Sequence, residues 1–240
     1  MDILSFIVIP FLMCILLIGI HCYLGLHVLA RGVIFVDLSL AQVAAFGATL
    51  ALALGLEHDS VLVYFCSLAA TLFAALLFAG ARRLEDKISQ EALIGIVYAL
   101  GSSAVVLLVN HMAHGAEHIK NLLVGQILWV SLEDLIKTAL IYLLVGLVHF
   151  VFRKQMLKAS FQKSHDSKWD FLFYALFGVV ITSSVKVAGI LQVFSFLIVP
   201  AIISSYFFKT IKSRLIFGWV FGSLLCLFAM LLSFKFDLPS

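Results

Sequence analysis

The chain has 240 residues, 63% of them hydrophobic and 12% charged, with a formal net charge of +3. Soluble domains carry about 45–50% apolar and about 25% charged residues, and a globule of this size cannot bury so large an apolar majority, so much of the surface must face lipid. The balance excludes a soluble enzyme, a nucleic-acid-binding module, a disordered chain and a coiled coil, and points to one all-α, polytopic membrane domain over residues 1–240.

Runs free of Asp, Glu, Lys and Arg that reach about 18 residues can cross a hydrocarbon core about 30 Å thick. The first spans residues 3–30. It starts beside Asp2 and exceeds the 7–15 residue apolar core of a signal peptide, so it is expected to persist as a helix, with a kink at Pro10. Residues 38–56 follow, rich in small side chains (Ala41, Ala44, Ala45, Gly47, Ala48) that let helix backbones approach. Residues 60–81 and 92–116 are the next two spans. The runs 138–152 and 171–185 are shorter and reach full length by tilting or by snorkelling of Lys137 and Lys168. Residues 187–208 and 215–234 bring the expected bundle to about eight spans, the last carrying a GxxxG at Gly218 and Gly222. Cys14, Cys22, Cys66 and Cys226 all fall in apolar stretches and behave as small hydrophobes, without disulfide or zinc-finger spacing.

Basic residues set the orientation. One side collects Arg31, Arg82, Arg83, Lys87, Arg153, Lys154, Lys158, Lys163, Lys168, Lys209, Lys212 and Arg214, twelve in all, and the other only Lys120, Lys137, Lys186 and Lys235. The basic side is expected in the cytoplasm, with the N-terminus and Ser240 outside. The same alternation splits residues 171–208 at Lys186, read as a turn, a re-entrant bend or an outer loop.

Asp37 stands among Phe35, Val36 and Leu38, where an ionised group costs about 2.5–3.5 kcal/mol on insertion scales. It either pairs with Arg31 near the interface or faces a cation path. Gln42 is rotated by about 140° from it on a helix, so the two need not meet. The run from Asn110 to His118 holds His111, His114, Glu117 and His118, donors that suit zinc, manganese or iron, and the histidines share a face if the segment is helical. Glu57, His58 and Asp59 add negative potential on that side. His21, His27 and His149 read as structural, as does His165 in the basic loop. Residues 153–168 form the longest polar cytoplasmic stretch, suited to anionic lipid or to a docked protein. There is no GxxxxGK[ST], HExxH or GxSxG, so ATP, if used, is bound by another chain.

The runs from Gly25 through Asp37 to Gln42 and Gly47, His114 to His118, Leu122 to Trp129, Ser183 to Leu191 and Leu197 to Ala201 resemble the membrane permeases of bacterial zinc, manganese and iron ABC importers. The similarity extends from about Gly19 to the end. The resemblance implies a permease in the bacterial cell membrane that dimerises, binds two cytoplasmic ATPase subunits and receives metal from an extracytoplasmic binding protein. It implies no catalytic residue and no tightly bound cofactor; the divalent metal is cargo. Asp37 matches the aspartate of the family's metal path, with Gln42, His111, His114, Glu117 and His118 as further metal candidates, and Arg153, Lys154, Lys158 and Lys163 lie where the ATPase docks. Ala41 stands where family members often carry a histidine. The family also tends to have a longer docking segment and one more helix beyond the match to Asp237, Leu238 and Pro239. Two other readings compete: a secondary transporter or channel in which Asp37 and Lys186 carry ion coupling, and a membrane enzyme with a metal held by His111, His114 and His118.

Overall fold

A computed structural model describes residues 3–57, 60–82, 87–112, 115–162 and 166–236. The described elements are α1 (Ile3–Arg31), α2 (Val36–Ala53), α3 (Val61–Ala81), α4 (Gln90–Val109), α5 (Gly115–Val124), a 3-10 turn (Ile127–Trp129), α6 (Leu132–Val151), α7 (Arg153–Phe161), α8 (Ser167–Phe207) and α9 (Ile211–Phe236). Helix starts follow local chemistry. The Ser60 and Ser89 hydroxyls accept the Leu62 and Ala92 N–H groups, Ser131 and Asp134 form a reciprocal capping box, and Asp166 accepts from the Lys168 N–H. α1 continues as one helix through Pro10.

Seven of these helices are long and apolar enough to cross a membrane. The longest, α8, has 41 residues, about 60 Å of helix, or twice the hydrocarbon thickness. Its neighbours show that it crosses twice. Asp170 near its start bonds Arg31 at the end of α1, and Thr182 bonds Thr71 midway along α3. Beyond Gly189 the helix returns, so that Leu197 and Ala201 lie against Gly25 of α1, near the His27 ring that meets Phe173. The reversal sits at Gly189, whose φ of 73° and ψ of 166° are not helical. A Cβ there would strike the backbone of residues 123–125, and Gly125, also at positive φ, packs on Ala188. The Gln126 N–H donates to the Val187 carbonyl at 3.1 Å and fastens the bend. The expected split is therefore present, three residues beyond Lys186, and the described chain makes eight passes.

The expected fourth span ends early. α4 stops at Val109, and a second helix, α5, begins at Gly115, because the chain folds so tightly onto α4 that a Cβ on Gly115 would collide with the Val109 carbonyl. α1 and α8 form the centre, with Met13, Leu17, Ile18, Leu24, Phe173 and Phe177 fully buried. Gly218 and Gly222 of α9 seat against Cys22, Ile18 and Pro200, and Gly47 of α2 seats against the α3 backbone at Cys66 and Ser67. Outward-facing positions of α4, α6 and α9 are apolar, as at Leu100, Leu143 and Leu224.

Candidate functional site

The helical face of α2 that carries Asp37 continues through Ala41, Ala44, Ala45 and Ala48 to Leu52. At the end of the bundle away from the basic loops, Ala44, Ala45, Ala48 and Leu52 line one wall of a cleft of about 140 Å³. α3 contributes Tyr64 and Ser67, α5 contributes His118 and Asn121, and α8 contributes Thr182 and Lys186. The cleft is polar along one side. Ser67 Oγ donates to the Ala44 carbonyl at 2.8 Å, Thr182 Oγ1 donates to Thr71 Oγ1 at 3.2 Å, and His118 Nε2 lies 3.1 Å from Thr49 Oγ1. Beyond it the stripe closes, with Ala41 only 2% exposed.

Asp37 lies at the far end of the stripe, next to the basic loops. It is 1% exposed, and its Oδ1 has no hydrogen-bond partner among the described residues. The Arg31 pairing offered by sequence fails, because Arg31 turns the other way and donates to Asp170 at 2.8 Å. Glu91 of α4 is close enough that the two carboxylates repel. Glu91 Oε1 accepts the Phe35 N–H at 3.1 Å, while its Oε2 is buried and unpaired among the described residues. Asp37 and Glu91 are each the second residue of a helix, where the exposed N–H groups favour a negative charge. A buried and a half-buried carboxylate, each with an unused buried oxygen and no described cationic partner, form a site complementary to a cation.

The other expected donors separate. Gln42 points to α4, where a Cβ on Gly101 would sit 3.3 Å from Gln42 Cβ, and it does not line the cleft. His111 is exposed on the turn after α4, and its Nδ1–H donates to the Leu107 carbonyl at 3.0 Å. Glu117 is exposed on α5, and His114 lies outside the described residues, as do His58, Asp59 and His165. The break between α4 and α5 prevents the described histidines, His111 and His118, from sharing one helical face. No group of three or more metal-capable side chains occurs among the described residues. Glu91 was not singled out in the sequence, where it reads as an ordinary first-turn acid; its link to Phe35 is invisible there.

At the basic end, α7 separates into two faces. Arg153, Lys154 and Lys158 are exposed, whereas Met156, Ala159 and Ser160 are buried; Lys163 lies outside the described residues. His27, His149 and His21 are also buried, His27 Nδ1 lying 2.8 Å from Ser160 Oγ and His149 Nδ1 3.2 Å from the Tyr23 hydroxyl.

Residues 4–240 match the model of the ABC 3 transport family. The chain is 25% identical over 175 residues to the manganese transport system membrane protein MntB of Synechocystis, an alignment covering 70% of this chain and 57% of that one. It is 23% identical over 224 residues to the manganese transport system membrane protein MntC of Listeria innocua, covering 90% and 78%. Among solved structures it superposes on PsaBC of Streptococcus pneumoniae, determined with a Fab, with a TM-score of 0.78 at 19% identity, covering 98% of this chain and 84% of that chain.

Proposed function

This chain belongs to the ABC 3 transport family, and we propose that it is the membrane subunit of an ATP-driven importer whose cargo is a divalent metal ion. In this reading the basic end faces the cytoplasm of a bacterial cell membrane, the N-terminus lies outside, and the exposed basic face of α7 docks a partner ATPase. Two copies of the chain assemble with two ATPase subunits, and a metal-binding protein delivers the ion to the outer end. The cargo enters by the cleft beside His118 and leaves past Asp37 and Glu91, along one face of α2. ATP hydrolysis belongs to the partner, so this chain provides the path and performs no catalysis.

The observation that carries this reading is Asp37, buried with an unpaired oxygen at the end of the stripe that lines the cleft. A charge left so in a membrane bundle is expensive and marks an ion path by default. With alanine at position 41, the donors gathered there are carboxylate oxygens, a set that suits manganese over zinc. The relatives named for manganese transport agree with that preference.

Uptake of radioactive manganese, zinc and iron into vesicles holding the chain with its partner ATPase tests the proposal. Manganese uptake that requires ATP and stops with an inactive ATPase is expected. Uptake driven by an ion gradient without the ATPase overturns it in favour of a secondary transporter.

A further inference from the structure

Four segments converge on one buried cluster at the basic end: the last residue of α1, the residue capping α3, the fourth residue of α8 and the final turn of α7. Arg31 Nη1 donates to Asp170 Oδ1 at 2.8 Å, and Arg82 Nη1 bonds the same oxygen. Arg82 Nη2 donates to the Ala159 carbonyl at 2.8 Å, and Arg31 Nε donates to Ser160 Oγ at 2.9 Å. His27 Nδ1 completes the ring of contacts 2.8 Å from the same hydroxyl, and the Arg31 guanidinium lies 4.1 Å from the centre of the Phe173 ring.

Stability alone is a weak account of this cluster. Two guanidinium groups share one carboxylate, their side chains are no more than 5% exposed, and Arg31 Nη2 has no described partner. Apolar residues of similar volume often replace such buried ion clusters without loss. What the cluster supplies is direction: the planar arginine forks fix α7 in register with α1, α3 and α8, and α7 cannot shift without moving Arg31 and Arg82.

From Arg31 the chain runs to Asp37 through a tight turn. Gly32 has φ of 72°, its N–H donates to the Leu29 carbonyl at 3.2 Å, and the Val33 N–H donates to the Val28 carbonyl at 3.3 Å. Phe35, two residues before Asp37, gives its N–H to Glu91. A displacement of Arg31 therefore reaches the Phe35–Glu91 bond and the spacing of the two carboxylates by way of four connecting residues, 32–35.

We propose that Ser160, Arg31, Arg82 and Asp170 are positioning residues that transmit movement of α7 to the Asp37–Glu91 pair, so that ATP-driven motion opens and closes the cation site. This rests on α7 being the ATPase-docking helix. The cluster moves as a rigid unit; its loosening separates hydrolysis from transport.

The test uses the complete complex in proteoliposomes, with manganese uptake and phosphate release measured on the same vesicles. For Ser160→Ala, ATPase association and hydrolysis are expected to stay within about twofold of wild type while metal moved per ATP falls about tenfold, the scale of losing a buried bond to a charged group. Ser160→Thr, which keeps the hydroxyl, restores the ratio. Arg82→Lys, which keeps the charge but loses the fork between Asp170 and Ala159, gives the same separation and serves if Ser160→Ala does not fold. An unchanged ratio in either folded variant overturns the proposal, as does equal loss of hydrolysis and uptake. Failure of the wild-type complex to show ATP-dependent uptake overturns the importer reading instead.

Discussion

Asp37 and Glu91 are two acids in a bundle whose other apolar faces are given to lipid, and their unused oxygens set the sharpest expectations. Asp37→Asn removes one cation ligand charge from a buried position, so uptake should fall by more than about tenfold while the protein stays folded, since the neutral amide relieves repulsion with Glu91. Normal uptake by a folded Asp37→Asn protein would remove Asp37 from the path. Glu91→Gln should lower uptake as well, and the double variant should do little further harm, because the two groups act on one ion. Additive losses measured in the double variant would separate them. Asp37 was legible in the sequence because a lone acid in an apolar run is anomalous. Glu91 was not, because it sits at a helix start where acids are ordinary, and only the folded chain brings the Phe35 N–H and Asp37 beside it. The Arg31 pairing, one of the two alternatives for Asp37, fails for the same reason: Asp170 is far along the chain and defeats the local candidate.

At the scale of elements, uncharged runs located the spans well, since hydrocarbon thickness imposes their length on any sequence. The breaks inside them were less legible. The α4–α5 boundary and the α8 reversal depend on Gly115 and Gly189 touching backbone elsewhere, and a glycine in a membrane helix can as easily be a packing residue, as Gly47 is. Gly189→Ala tests the reversal. An L-residue held at φ 73° and ψ 166°, a region essentially confined to glycine, costs about 1–3 kcal/mol, and here its Cβ also meets the residues 123–125 backbone, so the detergent-solubilised protein should unfold at a clearly lower temperature. An unchanged transition would mean that the bend tolerates a side chain. α7 supports a different test. Its basic residues are exposed while its apolar and hydroxyl face is buried, so Lys154→Glu with Lys158→Glu should leave the fold intact and weaken co-purification of the ATPase. Unaltered co-purification would place docking elsewhere.

The whole molecule is built inside out relative to a soluble protein: large apolar side chains such as Leu100, Leu143 and Leu224 are more than 60% exposed, whereas Arg31, Asp37, Arg82 and Asp170 are buried. Lipid is the solvent for the first group, and helix contacts must satisfy the second. That arrangement fixes which residues share an end of the bundle, and the end that faces the cytoplasm decides whether the cleft or the carboxylate pair meets the cargo first. The excess of Lys and Arg beside Asp37 argues that this end is cytoplasmic. Glu117 and Lys154, both exposed, lie at opposite ends, so each can report its side once replaced by cysteine. In a background with Cys66, the exposed native thiol, changed to serine, a membrane-impermeant thiol reagent added to intact cells should label Glu117→Cys. Lys154→Cys should react only after the membrane is opened. The reverse pattern would invert the bundle, putting Asp37 and Glu91 at the entrance and the His118 cleft at the exit, and would be incompatible with an ATPase docked on α7.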